Sequence, residues 1–119
     1  MQALVTVHKL VLGFPEYERY ALADQIRRAS KSIPANIAEG YGRRSSPREF
    51  KRFLNIALGS ANEMIVHLEV TQELSYADKE TCLSLVDDYE VVGKMLYRLG
   101  ENWRLMPSEP SRTRPKPSG

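Results

Sequence analysis

Cysteine is nearly absent from this 119-residue chain. Cys82 stands alone, so no internal disulfide and no multi-cysteine metal site can form. Histidine is almost as scarce, with only His8 and His67. A carboxylate-bridged dimetal bundle needs two Glu-x-x-His pairs. Here Glu63 lies four residues before His67, and His8 has no neighbouring carboxylate. Long apolar runs are also missing: none approaches the roughly 18 residues of a membrane span. The opening MQALVTVHKLVLGFPEYERY has neither a basic leader nor a small-residue cleavage site. A cytoplasmic location without a membrane partner is therefore expected. Gly40-Tyr41-Gly42-Arg43-Arg44 is too short for a phosphate-cradling loop. Cys82 sits in an apolar register, where a thiol acts as a small hydrophobe. No catalytic residue, metal or cofactor is expected, and the protein reads as a non-enzyme.

What is present is one domain of ordinary composition. Apolar content of 42% and charged content of 27% suit a soluble globular chain large enough to bury a core. The net charge of +2 conceals a segregated pattern. Residues 27–52 carry net +6 and residues 53–103 net −6, while the segments before and after carry −1 and +3. Segregation of this kind bears on partners more than on fold.

The periodicity predicts an all-α, antiparallel, up-and-down four-helix bundle over residues 1–106, with a short first helix. That helix runs from about Gln2 to Leu12 and stops at Gly13-Phe14-Pro15. A second helix is expected from Pro15 or Glu16 to about Glu39. Its stripe is Leu22, Ile26, Ala29, Ile33 and Ile37, with a bend at Pro34 and an end at Gly40-Tyr41-Gly42. The third helix starts at a capping box, Ser46-Pro47-Arg48-Glu49, and continues for about 28 residues with Phe50, Leu54, Ala57, Ala61, Met64 and Leu68 inward. The fourth starts near Asp78 and carries a heptad seam of Cys82, Leu85, Tyr89, Val92, Leu96, Leu99 and Trp103. Residues 107–119, rich in proline and basic side chains, are expected to be a disordered tail.

Two constellations stand out. Arg43, Arg44, Arg48, Lys51 and Arg52 fall in the second loop and the first turns of the third helix, so a hairpin gathers them at one end. Such a cluster attracts phosphate by charge and by counterion release, which makes RNA or DNA a candidate partner. It equally suits charge pairing within or between subunits, or a solvated face. The second constellation is a polar stripe of Gln25, Arg28, Ser32, Asn36 and Glu39, accompanied on the third helix by Asn55, Asn62 and Glu69, seven apart, and by Glu63. A polar network fixing register is the expected role, with a ligand site as the alternative. Gly59, in a helix interior, costs about 1 kcal/mol relative to alanine, and a packing reason is expected for it.

The run FPEYERYALADQIRRASKSIPANIAEGYGR followed by EFKRFLNIALGSANEMIVHLE is distinctive. It resembles the bacterial four-helix-bundle family of 23S rRNA intervening-sequence proteins. The matching features are Phe14-Pro15, Glu18-Arg19-Tyr20, Gln25-Ile26-Arg27-Arg28, Ser32-Ile33-Pro34 and Asn36-Ile37-Ala38-Glu39-Gly40. They continue through Arg52-Phe53-Leu54, Ala57-x-Gly59-Ser60, Glu63 and Met95-Leu96. The resemblance implies a cytosolic bundle that is commonly a homopentamer. The family is similar to the accessory variability protein of diversity-generating retroelements, a pentamer that binds nucleic acid and a reverse transcriptase. By that likeness the partners are copies of the chain itself, RNA or DNA, and a protein. The competing expectation is an adaptor that meets only itself and a protein partner through charge-complementary surfaces.

Overall fold

The structure, a computed structural model, describes residues 2–18 and 20–103. The tail expected to be disordered lies outside the described residues. Four α-helices follow one another: α1 (Gln2–Leu12), α2 (Leu22–Gly42), α3 (Pro47–Glu73) and α4 (Lys79–Trp103). No strand occurs among the described residues. Helix α3 packs on both α2 and α4, while the shorter α1 lies against α2 and touches α4 less extensively. The product is a four-helix bundle whose fourth corner is only partly filled.

Each helix starts or stops for a local reason. Ser46 caps α3: its Oγ accepts the Glu49 N–H at 3.3 Å, and Pro47, which has no N–H, takes the next position. Asp78 caps α4 by accepting the Thr81 N–H at 2.8 Å. Hydrogen bonds from the Thr81 backbone and side chain hold its carboxyl below the usual range. Between α3 and α4 the chain reverses through Ser75, whose φ of 59° places it in the left-handed region.

The second helix differs from expectation at both ends. It begins at Leu22, after a separate 3-10 turn at Glu16–Glu18. The Phe14-Pro15-Glu16 signal marks that turn, and Ala21, at the N-cap of α2, has no side-chain acceptor for the first N–H groups. It ends at Gly42, so Gly40 lies inside the helix. Gly40 is buried against α3. A Cβ there would stand 3.0 Å from Phe53 Cβ and 3.1 Å from Phe50 Cδ1. The glycine permits close approach of two helices and does not terminate one. Helical structure continues on both sides of Pro34.

The core follows the predicted registers. Leu22, Ile26, Ala29 and Ile33 from α2 meet Phe50, Leu54, Ala57, Ala61, Met64 and Leu68 from α3 and Cys82, Leu85, Tyr89 and Leu96 from α4. Val7, Leu10 and Val11 of α1 close one side. Burial pushes the Cys82 thiol up, with Asp78 adding to it, so the sulfur is a packing group. Gly93 and Gly100 of α4 are also buried, and a Cβ on Gly93 would sit 3.3 Å from Leu58.

Candidate nucleic-acid interface

The end of the bundle built from the last turn of α2, the first turns of α3 and the last turn of α4 gathers the predicted basic residues. Trp103 ties the three elements together. Its Nε1–H donates to the Arg44 carbonyl at 3.0 Å, and its ring stands edge-on to Phe50 with centroids 4.6 Å apart. One hydrogen bond and one ring contact therefore tie this loop to α3 and α4.

The five cations differ in their engagement. Arg43 pairs with Glu39 at 3.0 Å and approaches Glu49 at 3.6 Å. Arg52 meets Glu49 at 3.4 Å through two nitrogens. Lys51 reaches across to Glu101 of α4 at 2.8 Å. Arg44 has no carboxylate partner among the described residues. Its guanidinium lies 4.0 Å above the Tyr41 ring and donates to the Tyr41 carbonyl at 2.9 Å. Arg48 is exposed and forms no ion pair among the described residues. Phe53 lies beneath two guanidiniums, Arg52 at 4.4 Å and Arg43 at 5.2 Å. Five cations thus meet three carboxylates, leaving an excess of two positive charges on an aromatic base. The Arg43–Glu39 pair is solvent-exposed and the others are partly so, which makes each worth under about 1 kcal/mol.

The polar stripe is not one network. Gln25 is exposed, Arg28 pairs with Asp24 at 3.5 Å, and Glu39 turns to Arg43. Asn62 is exposed, and Glu63 faces His67 at 3.0 Å. Only Ser32 and Asn36 come together. Asn36 donates to the Ser32 carbonyl and hydroxyl, and Ser60 of α3 donates to the Ser32 hydroxyl at 2.9 Å. A spacing of three and four places side chains on one face but lets each choose its nearest partner, and local pairs won. Ser60 was the missed member, recognisable only as a small residue in the helix interior. Among the described residues no three His, Cys, Asp or Glu side chains converge as a metal site, and no helix is long and apolar enough to cross a membrane.

Gly59 also departs from expectation. It is exposed, and nothing lies within 4 Å of where its Cβ would be. No packing inside the protomer requires it. It belongs instead to an outward seam of α3 containing Ile56, Gly59, Val66 and Val70, with Ile56 41% and Val66 56% exposed. At the opposite end of the bundle, Tyr76 donates to Glu18 at 2.7 Å, meets Phe14 at a tilt and stands edge-on to Tyr17. Hydrogen bonds with Tyr17 and Glu18 hold its hydroxyl well above its ordinary range. No sequence pattern announced that cluster.

The family described as 23S rRNA-intervening sequence protein matches residues 1–98. The chain belongs to this family. A solved structure from Bacteroides thetaiotaomicron VPI-5482, described as a protein with unknown function from the S23 ribosomal protein family, is 31% identical. The alignment covers 82% of this chain and 88% of that one, with a TM-score of 0.71. No curated protein matches. The family match spans α1 to most of α4 and leaves the basic tail outside it.

Proposed function

We propose that this intervening-sequence-family protein is a non-enzymatic homo-oligomer that binds RNA or DNA through its basic end. The observation that carries the nucleic-acid part is the pair Arg44, in the α2–α3 loop, and Arg48, in the first turn of α3, exposed cations without carboxylate partners among the described residues, beside an exposed Tyr41. They are the primary phosphate contacts in this reading, with Arg43, Lys51 and Arg52 joining by exchanging carboxylates for phosphates. Tyr41 supplies a ring face for an unpaired base. The family's name, which refers to sequences interrupting 23S rRNA, favours RNA.

Self-association is supported by the outward seam of α3. Apolar side chains at Ile56, Val66 and Val70 share one outward face of α3 with an exposed glycine, an arrangement suited to close approach of a second copy. The likeness to family members suggests a pentamer. Ile56→Asp with Val66→Asp should reduce the mass measured by light scattering, while an unchanged mass would assign association to another face.

The alternative is an adaptor that binds only itself and a protein partner. The engagement of Arg43, Lys51 and Arg52 by carboxylates favours it, because paired cations are less available to phosphate. Fluorescence anisotropy with a labelled single-stranded RNA separates the two. Binding that weakens with salt and is lost in Arg44→Glu/Arg48→Glu supports the first reading. No binding at low salt, with the oligomer intact, supports the second.

A further inference from the structure

The short α1 leaves an open groove along the N-terminal half of α4. It measures about 660 Å³ and is lined by Gln2, Ala3 and Thr6 of α1 and by Glu80, Ser84 and Asp88 of α4, with Leu85, Val91 and Val92 of α4 supplying apolar lining. The charge here is unlike that of the basic end. There, Glu39, Glu49 and Glu101 each hold a cation. Glu80, Asp87, Asp88 and Glu90 form no ion pair among the described residues. Beyond Asp88 the same face of α4 continues with Val91 and Met95, at steps of three and four, and Met95 is 63% exposed.

The tail that follows α4 has the complementary character. It carries Arg112, Arg114 and Lys116 at alternate positions, with prolines at 107, 110, 115 and 117 that favour an extended chain. Its reach suits the groove. Asp88 lies about 22 Å back along α4 from Trp103 and Glu80 about 34 Å, at 1.5 Å per residue. In polyproline geometry, at about 3.1 Å per residue, Arg112 extends about 28 Å from Trp103 and Lys116 about 40 Å. Both pairings leave about 6 Å for the chain reversal. The spans also agree: Arg112 to Lys116 and Asp88 to Glu80 are each about 12 Å by the same rises.

We propose that the tail folds back antiparallel to α4 of its own chain and seats Arg112, Arg114 and Lys116 along the groove between α1 and α4, against Asp88 and Glu80. The contact is a charge-matched strap. It also covers Val91 and Met95, both more than half exposed among the described residues. It is independent of nucleic-acid binding at the other face.

Carbodiimide coupling of the full chain tests this. The reagent joins the Lys116 amine to a carboxylate in direct contact, forming an amide as the reagent takes up the water. The expected products, identified by mass spectrometry of equally mixed 14N and 15N protein, link Lys116 to Glu80 or Asp88 within one isotope. Their yield should fall severalfold between about 0.05 M and about 1 M salt, where screening shortens to about 3 Å. It should fall severalfold again in R112Q/R114Q, which leaves Lys116 in place. The proposal is overturned if Lys116 links to no carboxylate of α4, or links to Glu63, Glu69 and Glu73 with similar yield. It is also overturned if R112Q/R114Q changes nothing, or if the products are as often mixed-isotope as random pairing of chains predicts.

Discussion

Replacing Gly40 by alanine probes the α2–α3 contact on which the basic end is built. The added Cβ would lie 3.0 Å from Phe53 Cβ, 3.1 Å from Phe50 Cδ1 and 3.4 Å from the Phe50 carbonyl oxygen. Comfortable carbon contacts begin near 3.5 Å, so two of these are short by about 0.5 Å. Neither neighbour can turn aside: Phe53 Cβ is fixed to the helix, and the Phe50 ring stands against Trp103. The helices must separate. Overpacking of this kind costs about 1–3 kcal/mol, and the helix-propensity gain of glycine to alanine returns at most about 1 kcal/mol. A net loss of about 1–2 kcal/mol lowers Tm by roughly 4–8 °C for a domain near 100 residues. Gly42→Ala is the internal control, because nothing lies within 4 Å of its Cβ position. Thermal unfolding followed by circular dichroism gives the Tm values, and fluorescence of Trp103, the single tryptophan, reports on the same end of the bundle. A Gly40→Ala Tm equal to or above wild type would refute the claim that this glycine serves close packing.

Further outcomes follow from other sites. Ser46→Ala removes the acceptor at the start of α3 and should cost about 1 kcal/mol in denaturant unfolding, whereas Ser46→Asp should retain most of the stability. Gly59→Ala should lower the oligomer mass in light scattering at a given concentration, since its methyl faces outward into the seam; a larger mass would contradict that placement. Alkaline pH should destabilise the bundle. Burial, helped by Asp88, pushes the Tyr89 hydroxyl up to about 12. The unfolded chain releases this proton near 10 and the folded chain does not, so stability is full below 10 and falls as pH rises toward 12. Tyr76, also raised, adds in the same direction. Tyr89→Phe should make the alkaline limb of Tm against pH less steep, and an identical limb would show that Tyr89 ionises freely.

Most of the fold was legible because periodicity is a strong signal. The seams of α3 and α4 and the caps at Ser46 and Asp78 follow from spacing and side-chain chemistry. The start of α2 was not, because Pro15, Glu16 and Glu18 suit the first turn of a 3-10 segment as well as that of an α-helix. Gly40 was misassigned as a helix end for a simple reason. Glycine marks either a chain reversal or a close approach, and only the neighbouring helix tells which. The basic cluster was legible as a group, since adjacent residues in a hairpin stay adjacent in space. Its division into paired Arg43, Lys51 and Arg52 and carboxylate-free Arg44 and Arg48 was not, because Glu101 arrives from a helix 50 residues away.

The most direct test of the account is the salt dependence of RNA binding. Wild-type protein titrated into a labelled single-stranded RNA should bind at about 50 mM salt and weaken linearly on a log–log plot, with each phosphate contact contributing about 0.7 to the slope. Arg44→Glu/Arg48→Glu should weaken binding and flatten that slope by about 1.4, the share of two contacts. No binding at low salt, or a slope unchanged by the double substitution, would contradict the assignment of this end of the bundle to a phosphate backbone.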